Sequence, residues 1–174
     1  MANIFNFIPI TSILSKYTPQ EWAAREYEYA MSVNSISIPS NPDTKDIMNL
    51  NSMIDQVYSI AKIECAIYER LYDKFDRRRK NSEIEVYTIV KQMLPVDANG
   101  NPEKKTETEM KALGMHYLNN TPVDKTGQST YTIYQLLEMA EERYVYMKAI
   151  IDLLKDKSDK LITDTGSLKM ETKI

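Results

Sequence analysis

Two apolar stripes with the period of an α-helix, both free of glycine and proline, constrain this chain more than any other feature. The first runs through Ile47, Leu50, Ile54, Val57, Ala61, Cys65, Tyr68, Tyr72 and Phe75 in steps of three or four, with one consecutive pair of fours. The second runs through Ile133, Leu137, Ala140, Tyr144, Met147, Ile151, Leu154, Ser158 and Leu161, alternating fours and threes without a slip. Such spacing is a heptad seam, the signature of helix packed lengthwise on helix. A helix starting near Asp43 or Thr44 and running roughly 35 residues, at about 1.5 Å each, is some 50 Å long. It cannot bury its stripe alone.

The expected fold is therefore all-α: an antiparallel, coiled-coil-like hairpin of two long helices, with the segment between them forming a short helical cap. Residues 1–42 read as an N-terminal arm with a short helix and a linker. Residues 43–174 read as the hairpin domain, with the cap inserted at about 95–129. A chain of 174 residues with 4 Gly and 7 Pro has room for one such domain and for long unbroken helices.

Local signals set the breaks. Thr18-Pro19-Gln20-Glu21 is a capping box with proline at the first helical position, and its helix is expected to reach about Val33. Pro39 and Pro42 punctuate an extended linker. Beyond the first stripe, residues 83–94 fit either a strand or a continued helix, and Met93 and Leu94 weigh toward helix. The stretch 95–102 (PVDANGNP) is a turn. A short helix is expected over 103–118, capped by Asn101 with Pro102 at its first position, and Gly166 is placed to stop the last helix. Leu136, Ile150, Leu153 and Ile162 widen the second stripe. Together with the apolar arm at Ile4–Leu14, that extra width predicts a homo-oligomer.

Chemistry is scarce. The single His116 has no nucleophile motif beside it, the single Cys65 lies on the core stripe, and no phosphate-cradling glycine loop exists. Neither a zinc site nor a di-metal carboxylate site is spelled out, so no cofactor, metal or catalytic residue is expected. The acids along the second stripe read as a solvated face. One cysteine, no signal-like start and no long apolar run point to a protein of the cytoplasm with no membrane partner. The net charge of −3 argues against a protein coated with cations for duplex DNA.

The local exception is basic. Arg70, Lys74, Arg77, Arg78, Arg79 and Lys80 face only Asp73 and Asp76 over eleven residues. Tyr68, Tyr72 and Phe75 interleave with them, and Lys91, Lys104, Lys105, Lys111 and Lys125 belong to the same end of the hairpin. Cations that neutralise phosphates beside aromatics that stack on bases are the needs of a single-strand binding surface. The same aromatics also lie on the seam, and a basic run also suits a helix C-terminus.

The stretch Lys105 to Ala112 (KTETEMKA), then Tyr134-Gln135-Leu136-Leu137, Ala140, Tyr144, Met147-Lys148, Ile150 to Leu154, Lys157 to Ile162 (KSDKLI) and Leu168-Lys169 resemble the phage recombination-mediator (UvsY-like) family over about residues 50–170. That resemblance implies a non-enzymatic accessory that binds single-stranded DNA, forms a homo-oligomer, and helps a RecA-like recombinase displace single-strand-binding protein in the host cytoplasm. It would place phosphates on Lys74, Arg77, Arg78, Arg79 and Lys80, with Lys104, Lys105 and Lys111 in support. The alternative is a phage virion or assembly component, a ring, connector or scaffold part acting through helical protein contacts. An inhibitor of a host defence system is a third reading, and an enzyme the least favoured.

Overall fold

The structure, a computed structural model, describes residues 19–40, 42–96, 98–123 and 130–171. These residues form four helices: α1 (Pro19–Ser35), α2 (Thr44–Met93), α3 (Glu107–Asn120) and α4 (Ile133–Glu171). The all-α expectation holds, and the two long helices pack as an antiparallel pair. Early α4 meets late α2, Tyr134 donating to Glu83, whereas Arg143, further along α4, stacks on Tyr68, further back on α2. The alternating segment 83–94 stays helical as far as Met93, so α2 is 50 residues long. No helix among the described residues is long and apolar enough to cross a membrane. The N-terminal arm before Pro19 lies outside the described residues, and so does Thr18 of the first capping box.

The chain divides into two compact units, with α2 and α4 each contributing to both. The unit holding Glu69–Glu141 takes the second half of α2, all of α3 and the first turns of α4. Phe75, Leu136 and Ala140 are completely or almost completely buried there, beside Val86, Val90, Met110 and Leu118. Each large side chain so enclosed contributes roughly 1.5–3 kcal/mol of transfer free energy. Gly114 of α3 lies on Val86 of α2, where a Cβ would stand 3.5 Å from Val86 Cγ1.

The other unit joins the described part of Lys16–Tyr68 to Glu142–Ile174. Its core runs through Trp22, Val33, Ile54, Ala61, Met147, Leu154 and Leu161. The linker after α1 is pinned rather than loose. Ile36 is fully buried, its carbonyl accepts from Lys157 Nζ at 2.6 Å, and Tyr146 Oη donates to the Glu26 carbonyl at 2.6 Å. Arg25 and Glu64 pair at 2.7 Å, which holds the arginine's proton more tightly than usual.

Helix ends differ from expectation where a stronger cap competes. α3 begins at Glu107, four residues after the expected start, because Thr106 and Glu109 form a reciprocal capping box. Asn101 and Pro102 belong instead to a closed turn, with Val96 bridged to Pro102, Glu103 N donating to Pro95 O at 2.8 Å, and Gly100 at φ 79. α2 starts where Asp43 and Asp46 each donate a backbone N–H to the other's side-chain oxygen, and α4 where Thr132 and Gln135 do the same. Gly166 does not end α4, which continues to Glu171. One interior glycine costs a helix only about 1 kcal/mol, and no proline follows to force a stop. Of the residues expected to widen the α4 stripe, Leu136 and Ile150 are buried, while Leu153 and Ile162 face solvent.

Candidate nucleic-acid interface

A run of consecutive cations on a helix cannot face one way, because each residue turns the direction by about 100°. The tract at 77–80 splits accordingly, and all of it lies in the unit that holds Glu69–Glu141.

Half of it turns toward the core face shared with Phe75, Ser82 and Val86. The Arg79 side chain keeps 24% of its surface and bridges Asp76 and Glu83, at 2.7 Å each. Asp76 raises the pKa of the Arg79 guanidinium, and Lys80 and Arg79 hold the Asp76 carboxyl below the usual carboxylate range. Glu83 also accepts from Tyr134 Oη at 2.9 Å, so Arg79 sits in a network that ties α2 to α4. Arg78 keeps 14% of its side-chain surface and stands 4.0 Å from Glu85. Both guanidiniums are thus turned toward carboxylates of their own helix.

The other half, Arg77 and Lys80, turns outward and is joined there by Arg70, Lys74 and Lys91. Arg70, Lys74, Arg77, Lys80 and Lys91 are all exposed, and their spacing of four, three, three and eleven keeps them on one side of α2. Among the described residues Arg70, Arg77, Lys91 and Lys104 form no ion pair, although Arg77 Nε donates to the Asp73 carbonyl at 3.2 Å. Lys80 pairs with Asp76 at 2.7 Å while remaining 62% exposed. Surface pairs of this kind are worth about 0–1 kcal/mol, and an arriving phosphate can replace the carboxylate. The ridge from Arg70 to Lys91 spans roughly 30 Å of helix.

The supporting lysines divide as well. Lys111 of α3 is 69% exposed and pairs with Glu107 at 2.8 Å. Lys105 is held by Glu103 at 2.9 Å, which raises the lysine's pKa, whereas Lys104 is exposed. Lys80 and Lys111, from different helices, share the rim of an open groove of about 810 Å³ between α2 and α3. Its walls carry Ile84, Tyr87 and Met115, and buried Met110 lines it too.

The aromatics sort differently from expectation. Tyr68 and Phe75, 3% and 0% exposed, are core and cannot stack on a base. Tyr72 is half-buried. The available ring is Tyr87, 42% exposed, which the sequence reading did not single out. Its place seven residues after Lys80 and four before Lys91 was the signal, visible once residues 83–94 are taken as helix. Among the described residues no group of three His, Cys, Asp or Glu could hold a metal ion.

Set against protein-family models, curated proteins and solved structures, the chain finds no match in any of the three comparisons.

Proposed function

We propose that this chain is a non-enzymatic accessory protein that binds single-stranded DNA along the outward ridge of α2. One observation carries the reading: Arg70, Lys74, Arg77, Lys80 and Lys91 share an exposed helix face beside the groove that holds Tyr87 and Lys111. Cations about one turn apart neutralise successive phosphates and release counterions. An exposed ring in an apolar groove offers a stacking platform to an unpaired base, a contact the stacked interior of a duplex cannot make. The overall charge of −3 keeps this attraction local to the ridge.

The resemblance to phage recombination mediators extends the proposal to a partner, a RecA-like recombinase loaded onto strands covered by single-strand-binding protein. The ion-paired half of the tract favours a second reading, a helical assembly component of a phage particle, because Arg78 and Arg79 serve packing rather than a ligand.

Anisotropy of a labelled single-stranded oligonucleotide, titrated at several salt concentrations, tests the binding step. Affinity falling steeply with salt, and weaker for the matching duplex, is expected. No binding at low salt, or equal affinity for duplex, overturns it. Filament assembly of a recombinase on precoated single strands then tests the mediator role separately.

A further inference from the structure

The unit built from α1, the first half of α2 and the end of α4 exposes an apolar ridge that its own fold leaves bare. On α2, Met53, Ile60, Ile63 and Ile67 are 39%, 50%, 64% and 38% exposed. Met53, Ile60 and Ile67 are spaced by seven, with Ile63 between, so the four form one stripe separate from the buried seam of Leu50, Ile54, Ala61 and Tyr68. Ser52, Ser59 and Ala66 repeat at the same interval along one flank, small enough for a second helix to come close. Beside the stripe, α1 and α2 enclose a groove of about 400 Å³ lined by Tyr27, Met31, Val57 and Ile60. Tyr27 and Met31 are themselves 66% and 51% exposed.

We propose that this face is a homotypic interface, in which the isoleucine ridge of each copy seats in the α1–α2 groove of the other about a two-fold axis. Ridge and groove lie side by side on one face, which is what an isologous contact requires, since each copy must supply both halves. Charge points to the same occupant. The stripe of Met53, Gln56, Ile60, Ile63 and Ile67 is uncharged, and the groove's Arg25 stands between Glu28 and Glu64 at 3.0 and 2.7 Å, one cation against two carboxylates. The uncharged ridge of a second copy therefore meets the groove's excess carboxylate without repulsion, whereas an acidic partner would be repelled. The six exposed side chains offer on the order of 600 Å² per copy, so a pair buries about 1,200 Å², the lower edge of stable specific interfaces. The surplus apolar width of α4 does not compete, because Val145, Leu153 and Ile162 point in different directions around that helix.

The test is the mass of the full chain by light scattering across a concentration series, for the unaltered protein and for Ile63→Glu, with circular dichroism melts of both. Ile63 stands 64% exposed, so the charge leaves the helix content and melting of the dissociated protein intact. A dimer or larger closed assembly at micromolar concentration, weakened at least tenfold by Ile63→Glu, is the expected result. A monomer at all concentrations overturns the proposal, and so does an assembly that Ile63→Glu leaves unchanged. An assembly broken by Phe7→Asp but not by Ile63→Glu assigns the contact to the N-terminal segment and overturns it equally.

Discussion

The guanidinium of Arg143 lies 4.9 Å from the ring centre of Trp22, the single tryptophan of the chain, and Tyr68 meets the same indole edge-on at 5.3 Å. Arg143 is 3% and Trp22 8% exposed, so the cation–π contact sits in the core of its unit. A desolvated pair of this kind is worth about 2 kcal/mol, and truncation adds the loss of the packed stem. Arg143→Ala is expected to lower stability by about 2–4 kcal/mol in urea titrations followed by tryptophan emission. Native emission should be blue-shifted and protected from a soluble quencher. Emission typical of a solvated indole would contradict this packing.

The division of the basic tract separates binding from stability. Arg70→Ala with Arg77→Ala should weaken single-strand binding and flatten the salt dependence by about 1.4 in log–log slope, two contacts at about 0.7 each. Arg79→Ala should leave that slope alone and cost about 1 kcal/mol in the urea midpoint, because it removes ion pairs to Asp76 and Glu83. Reversed roles for the two variants would refute the assignment of outward and inward cations.

Gly114 is buried in α3 without a positive φ, and a methyl there meets Val86 at ordinary contact distance. Gly114→Ala should therefore stabilise the protein by about 0.5–1 kcal/mol, chiefly by restricting the unfolded chain. For a chain of this size that is about 1–4 °C in melting temperature. Gly114→Leu should do the reverse by prising α3 off α2, and calorimetry reads both.

Burial, and then the hydrogen bond to Glu83, push the Tyr134 phenol up to about 12. The folded chain therefore holds this proton more tightly than the unfolded chain. The resulting stability is complete below pH 10.0, the ordinary tyrosine value, and drains away as pH rises toward about 12. Phenolate absorbance should show this tyrosine titrating late, and Tyr134→Phe should remove its share of the alkaline loss of stability. A midpoint for Tyr134 at the ordinary value would break the link to Glu83.

Both seams were readable from the chain because burial and helical period coincide there. Leu50, Ile54, Ala61, Met147, Leu154 and Leu161 all lie inside. What escaped was competition between local signals. Asn101-Pro102 and Thr106-Glu109 are both acceptable helix starts, and the reciprocal box prevailed while the earlier pair closed a turn. At the basic tract, composition counts charges but not directions. Arg77, Arg78 and Arg79 look equivalent as letters, yet successive turns of about 100° send the first to solvent and the next two toward carboxylates. Tyr68 and Phe75 posed the opposite difficulty, since a ring suited to a base is equally suited to a core.

α2 runs from Thr44 to Met93 without glycine or proline. One residue gained or lost between Thr44 and Phe75 would turn everything downstream by about 100° relative to the preceding helix, taking Phe75 off the buried seam. Changes of length are thus disfavoured inside the rod and easier in the segments that flank it, near 37–43 and 94–106. Within each unit the unbroken helix is a phase ruler: it fixes the angle between buried seam and isoleucine stripe in one, and between buried seam and cationic ridge in the other.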